Sequence, residues 1–134
     1  MGCDFFTVVR IPAGTPRDRA LEVDVEIEGD RLDCVAYLIP TGWHALAGFA
    51  INYGIEQLYP HRRGEWVTGD GLYREVRLNW RMPERRLRLT VKAYNEDSVY
   101  EHKLFIWFTT SDVEEDRLGW LVETLARIAR WIGL

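Results

Sequence analysis

The histidines, cysteines and serines, types that serve as metal ligands or nucleophiles, number seven: His44, His61, His102, Cys3, Cys34, Ser98 and Ser111. Their spacing argues against catalysis. No histidine stands at a helical or hairpin metal spacing from another His, Asp, Glu or Cys, so no metal site is expected. Two cysteines exclude a disulfide-dense scaffold and a four-cysteine zinc site. Ser98 falls in a turn and Ser111 at a helix start, and neither sits in a GxSxG elbow. Gly69-Asp70-Gly71 reads as a turn, because no strand-to-helix unit or lysine follows it as a phosphate loop requires. Carboxylates are dense at Glu22, Asp24, Glu26 and Glu28, every second position of one segment. Like charges on one strand face repel, so this ladder calls for basic side chains on a neighbouring strand or subunit. Arg74, Arg77, Arg81, Arg86 and Arg88 are available. The chain is expected to have no catalytic residue, no cofactor site and no enzymatic activity.

Aromatic residues offer a second chemistry. Trp43, Tyr53, Tyr59, Trp66 and Tyr73 lie outside the clearest strand patterns. Trp43, His44, Tyr59 and Trp66 are the candidate members of a loop platform on which a glycan could stack. Against that stands the commoner use of such residues, plugging the open ends of a sandwich.

The elements that must hold these side chains alternate with period two from Phe5 to Thr110, the mark of strands with one buried face. Leu21, Val23, Val25 and Ile27 alternate with the acidic ladder, and Gly29-Asp30 is a loop of hairpin length. Residues 31–39 are expected to return as the partner strand, with Leu32 opposite Ile27, Cys34 opposite Val25 and Ala36 opposite Val23. Cys34 would then face the core. A second hairpin is expected at 87–94 and 99–109, turning on Asn95-Glu96-Asp97-Ser98. It would set His102 opposite Val91, and Glu101 opposite Lys92 as an ion pair. His102 is expected inside, bonded to backbone. From Leu104 to Phe108 both strand faces are apolar, which predicts a strand covered on both sides. Further strands are expected at 5–11, 46–53 and 72–82, the last burying Val76, Leu78 and Trp80. Residues 54–71 read mostly as loop, with a short strand near Trp66.

After Thr110 the period changes. Ser111 and Glu114 are spaced as a capping box, as are Asp112 and Glu115. Leu118, Val122, Leu125, Ala129 and Ile132 recur at spacings of 4, 3, 4 and 3, and Leu121 and Ile128 widen the stripe enough to dock on a sheet. At about 100° per residue, Trp120 and Trp131 fall on the opposite side, beside Glu123 and Arg127. That second face, with Trp120, Glu123, Arg127 and Trp131, is expected to contact another subunit or a partner.

Seventeen basic residues against twenty-one acidic ones give a net charge of −4. An acidic chain without a basic block is not expected to bind nucleic acid. No apolar run approaches the roughly 18 residues of a membrane span, and the start of the sequence lacks the basic and apolar regions of a signal peptide. A cytoplasmic or virion location is expected.

Two stretches carry a family resemblance. One is Ile39-Pro40-Thr41-Gly42-Trp43-His44-Ala45-Leu46-Ala47-Gly48-Phe49-Ala50-Ile51-Asn52-Tyr53-Gly54, followed by Gln57, Pro60, Trp66 and Gly69-Asp70. The other is Ala93-Tyr94-Asn95-Glu96-Asp97-Ser98-Val99-Tyr100-Glu101-His102. Over about residues 40–108 the chain resembles small β-rich virion-associated proteins of tailed viruses of bacteria and archaea. The resemblance implies a component of capsid or tail and assigns no catalytic residue.

The expected fold is all-β: an antiparallel β-sandwich, jelly-roll-like, of seven or eight strands over 1–110, with one amphipathic helix over 111–134 packed on the sandwich or at a subunit interface. The expected function is a structural or assembly protein, a virion accessory that acts as a homo-oligomer or on a repeating surface, with itself or other virion proteins as partner. The alternative is a carbohydrate-binding module using the loop aromatics. A third reading, a cupin-type enzyme, needs a histidine-rich metal cluster inside the barrel, and only His102 is expected to point inward.

Overall fold

The structure, a computed structural model, describes residues 3–133, with side chains described outside 113–121. Eight strands precede one helix: β1 (Cys3–Ile11), β2 (Leu21–Glu28), β3 (Arg31–Ile39), β4 (Ala47–Tyr53), β5 (Glu56–Tyr59), β6 (Leu72–Arg81), β7 (Arg86–Asn95), β8 (His102–Ser111) and α1 (Val113–Trp131). They form two four-stranded antiparallel sheets, the first in the order β1-β8-β3-β6 and the second β2-β7-β4-β5. The pairing is nested: β1 with β8, β2 with β7, β3 with β6 and β4 with β5. A long antiparallel ribbon rolled up on itself gives this pairing, which is that of a jelly roll. The expected all-β sandwich with a C-terminal helix is the fold observed.

Inward-facing positions of both sheets fill one core, with Ile27, Leu32, Tyr37, Phe49, Leu89 and Phe108 among its buried side chains. The alternation that predicted strands is the alternation that buries them. It does not say which strands pair, and here both expected hairpins are corrected. β2 and β3 belong to different sheets, as do β7 and β8. Gly29-Asp30 is a crossing between sheets: Gly29 N–H donates to the Arg85 carbonyl and Asp30 N–H to that of Ser111. Glycine is required there, because φ is 151° and a Cβ would lie 2.8 Å from the Thr110 side chain. Lys92 consequently pairs with Glu22 across β2 and β7 at 3.7 Å, and not with Glu101.

Cys34 does not face the core. The β3 register shifts between Leu32 and Cys34, so the inward positions become Val35, Tyr37 and Ile39, and Cys34 is half-exposed. A bulge of this kind reverses the face of every residue after it. Of the loop 54–71, β5 is a strand that sequence periodicity did not indicate, and near Trp66 only Val67 bridges, to Phe49.

The acidic ladder is answered as expected, by β7 and the turn before it. Arg86 lies 3.7 Å from Glu26 and 3.4 Å from Glu28, Arg85 reaches Glu28 at 3.9 Å, and Asp24 accepts a hydrogen bond from Thr90. Each such exposed pair contributes a few tenths of a kcal/mol. Arg88 stands opposite Glu26 in the register, whereas Arg74, Arg77 and Arg81 lie on β6 in the other sheet.

Close packing sets a first prediction at Gly48. A Cβ there would lie 2.5 Å from the buried Tyr94 ring, which is held from its other sides by Trp66 and by the Arg17 guanidinium. Gly48→Ala is expected to lower the unfolding free energy by about 1–3 kcal/mol, the usual cost of overfilling a packed site. Urea denaturation measures it.

One residue, Asp112, separates β8 from α1. The N-cap residue is Asp112, whose side chain makes no capping bond and is bound by Arg85 at 3.2 Å, while Ser111 ends β8 and donates to Asp33; the Glu114 and Glu115 side chains of the expected capping boxes lie outside the described residues. Among the described side chains of α1, the expected docking stripe is not on the sandwich, since Val122, Leu125, Ile128 and Ile132 are all exposed.

Candidate functional site

The outer faces of the two sheets differ in kind. The second sheet presents the Glu22–Glu28 ladder against Arg86, Arg88, Thr90 and Lys92, a polar solvated face. The first sheet presents hydrocarbon. Its register places Val8, Phe105, Leu38 and Tyr73 in one row across all four strands, and Phe6, Trp107 and Ala36 in the adjacent row, which ends on β6 at the exposed Glu75. Phe6 packs on Trp107 with ring centroids 5.0 Å apart and on Phe105 at 6.4 Å, and Tyr73 meets Trp107 edge-on at 6.3 Å. Phe6 remains 53% exposed and Tyr73 60%. Arg10 and Lys103 border the patch at one end, and Asp4, bonded to Thr109, at the other.

A one-sided antiparallel sheet normally carries polar residues outward. The first sheet departs from that pattern over these two rows. The double-sided apolar run Leu104–Phe108 was the sequence signal for it. The expected cover is not supplied by any other strand, because the second sheet packs on the inner side only.

The second unburied apolar surface is α1. Its stripe is exposed at the residues given above, and on the opposite side Trp131 is 89% exposed beside exposed Glu123 and Arg127. The side chain of Trp120, the other expected contact tryptophan, lies outside the described residues.

The four platform candidates do not form a common surface. Trp43 is buried, and its indole N–H donates to the Lys103 carbonyl at 3.0 Å. It closes one end of the sandwich over His102, at a ring separation of 6.3 Å. His44 points outward from the same loop, with its Nδ1 3.7 Å from Asp70. Tyr59 belongs to β5 and shares a hydrogen bond with the Tyr37 hydroxyl, while Trp66 packs edge-on against Tyr94. Among the described residues no ring contact joins any two of these four.

The histidines stand in three settings. His102 is buried as expected, but its partner is the Asp97 carboxylate at 3.0 Å and not backbone. His61 borders a cleft between β5 and β6, and His44 is exposed. Among the described residues no three His, Cys, Asp or Glu side chains come together as a metal would require.

Two carboxylates organise the loops at this end. Asp97 accepts the N–H groups of Val99 and Tyr100, and Asp70 those of Gly42 and His44. These bonds to the ionised form hold both carboxyls below their ordinary value near 3.8, with the His102 and His44 rings adding to the effect. A depressed folded-state pKa gives stability that is present above the unfolded value and lost as pH falls through the folded one. Stability is therefore expected to fall as pH drops below about 4. Asp97→Asn and Asp70→Asn should each flatten that fall, as read from urea midpoints across acid pH.

Among the described residues no helix is long and apolar enough to cross a membrane. Comparison with protein-family models, with curated proteins and with solved structures gives no match.

Proposed function

We propose that this protein is a non-enzymatic assembly protein. It associates with copies of itself, or with a repeating surface, through the outer face of the first sheet, with α1 as a second contact element. The observation that carries this reading is the contrast between the two sheets: one outer face is charge-paired and solvated, the other is a contiguous aromatic surface with Phe6 and Tyr73 more than half exposed. Burial of one such ring is worth roughly 1.5–3 kcal/mol, so a face of this composition is spent in water unless covered. An exposed helix with apolar residues on both sides adds to the same argument.

A jelly roll alone assigns no function, since capsid, lectin and cupin proteins share it. The resemblance over about residues 40–108 favours a virion accessory on capsid or tail within this class. The carbohydrate reading loses one of its candidate rings, because Trp43 is buried and bonded inside the sandwich end. Sedimentation of the full chain over a concentration series tests the proposal. A mass that rises above the single-chain 15.7 kDa supports self-association, and one that stays there at every concentration contradicts it.

A further inference from the structure

The sandwich is open along one side, between the edge strands β5 and β6. β6 has ten residues and pairs with β3 on one side, so along its other edge no strand is hydrogen-bonded to it. A cleft of about 600 Å³ lies along this edge, lined from β5 by Gln57 and Tyr59 and from β6 by Val76, Leu78 and Trp80. Those three β6 side chains point toward the core yet are only half-buried. On the outer side Glu75 and Arg77 flank Val76; both are exposed and neither has an ion-pair partner among the described residues. A long edge with unpaired backbone groups is a template for another strand.

We propose that β6 pairs antiparallel with β6 of a second copy, about a two-fold axis through Val76. This rests on the self-association reading and names a second interface for it. The charge pattern selects the occupant. With the two Val76 residues facing each other, Glu75 of each copy stands directly opposite Arg77 of the other, so the edge is complementary to itself twice over. A shift by one residue in either direction destroys this match. Pairing covers the residues around Val76 and ends near Asn79, where φ is 48° and the register with β3 is irregular. The result is a continuous eight-stranded sheet, which extends the aromatic face across the two copies and closes the cleft mouth.

The test uses full-length Phe6→Glu protein, which blocks the aromatic face and leaves the β6 edge and α1 as the remaining contacts, and the charge variants below act on the edge alone. Expected is a dimer by sedimentation. Glu75→Arg or Arg77→Glu, added singly, places like charges opposite each other and should weaken that dimer about tenfold or more. Mixing the two single variants restores Arg-to-Glu pairing and should give a one-to-one heterodimer. Equal masses for all variants, or a mixture that stays monomeric, overturns the proposal. So does a Phe6→Glu protein that is monomeric while the parent associates, a result that leaves the assembly reading standing. A parent that is no larger than the Phe6→Glu dimer overturns the aromatic-face reading and leaves the edge intact, and a monomeric parent overturns both. Amide exchange in the Phe6→Glu protein gives an independent readout that needs no charge variant: amides on the free side of residues 74–78 should slow as concentration rises, and unchanged exchange counts against the pairing.

Discussion

Trp43→Ala is expected to lower the unfolding free energy by about 3–5 kcal/mol, a large part of the roughly 5–15 kcal/mol that holds a domain folded. The indole is 1% exposed and covers the end of the core beside His102. Its removal leaves a cavity as large as the ring and strips the Lys103 carbonyl of its donor. Trp43→Phe keeps most of the volume and loses the N–H, so a smaller loss near 1 kcal/mol is expected. Urea denaturation separates the two. A stacking residue in a glycan site would behave in the opposite way, with stability unchanged and binding lost.

The second large effect is expected at Phe6. A carboxylate there projects from the β1 side of the aromatic face, next to Trp107 and Phe105. In the isolated chain the position is half in water, so Phe6→Glu should change stability by no more than about 1 kcal/mol. In a covered face the same change removes a buried ring and strands a charge without a partner. Association through this face should weaken by about tenfold to a hundredfold, the equivalent of one lost Phe burial. The separation of the two readouts, an unchanged melt at dilution and a changed mass at high concentration, makes the substitution informative.

Local pattern carried much of this fold. Leu21 to Glu28 alternates so cleanly that its buried and solvated faces could be assigned residue by residue, and the helix beginning after Ser111 follows from the change of period. Pairing was not legible in the same way. A period of two says which side of a strand is buried and nothing about its neighbour. Gly29-Asp30 has the length of a hairpin, but its backbone bonds go to Arg85 and Ser111 and carry the chain to the other sheet. Cys34 was misplaced for a related reason: one irregularity after Leu32 reverses the face of the residues that follow.

The candidate surface was half legible. Leu104 to Phe108 announced an apolar outer side on β8. Its extension over Phe6, Val8, Leu38 and Tyr73 depends on the β1-β8-β3-β6 order, which no single segment encodes. The aromatic platform fared worse because loop position in sequence does not fix exposure. Trp43 turns inward, while His44 beside it turns out at a φ of 47°.

Sedimentation equilibrium of the parent chain beside Phe6→Glu, at matched concentrations, tests the aromatic face as an association surface most directly. The expected result is a parent that grows beyond two chains with concentration and a Phe6→Glu protein that stops at a dimer, the two melting alike at a dilution where neither associates. Identical masses for both proteins at every concentration would contradict it.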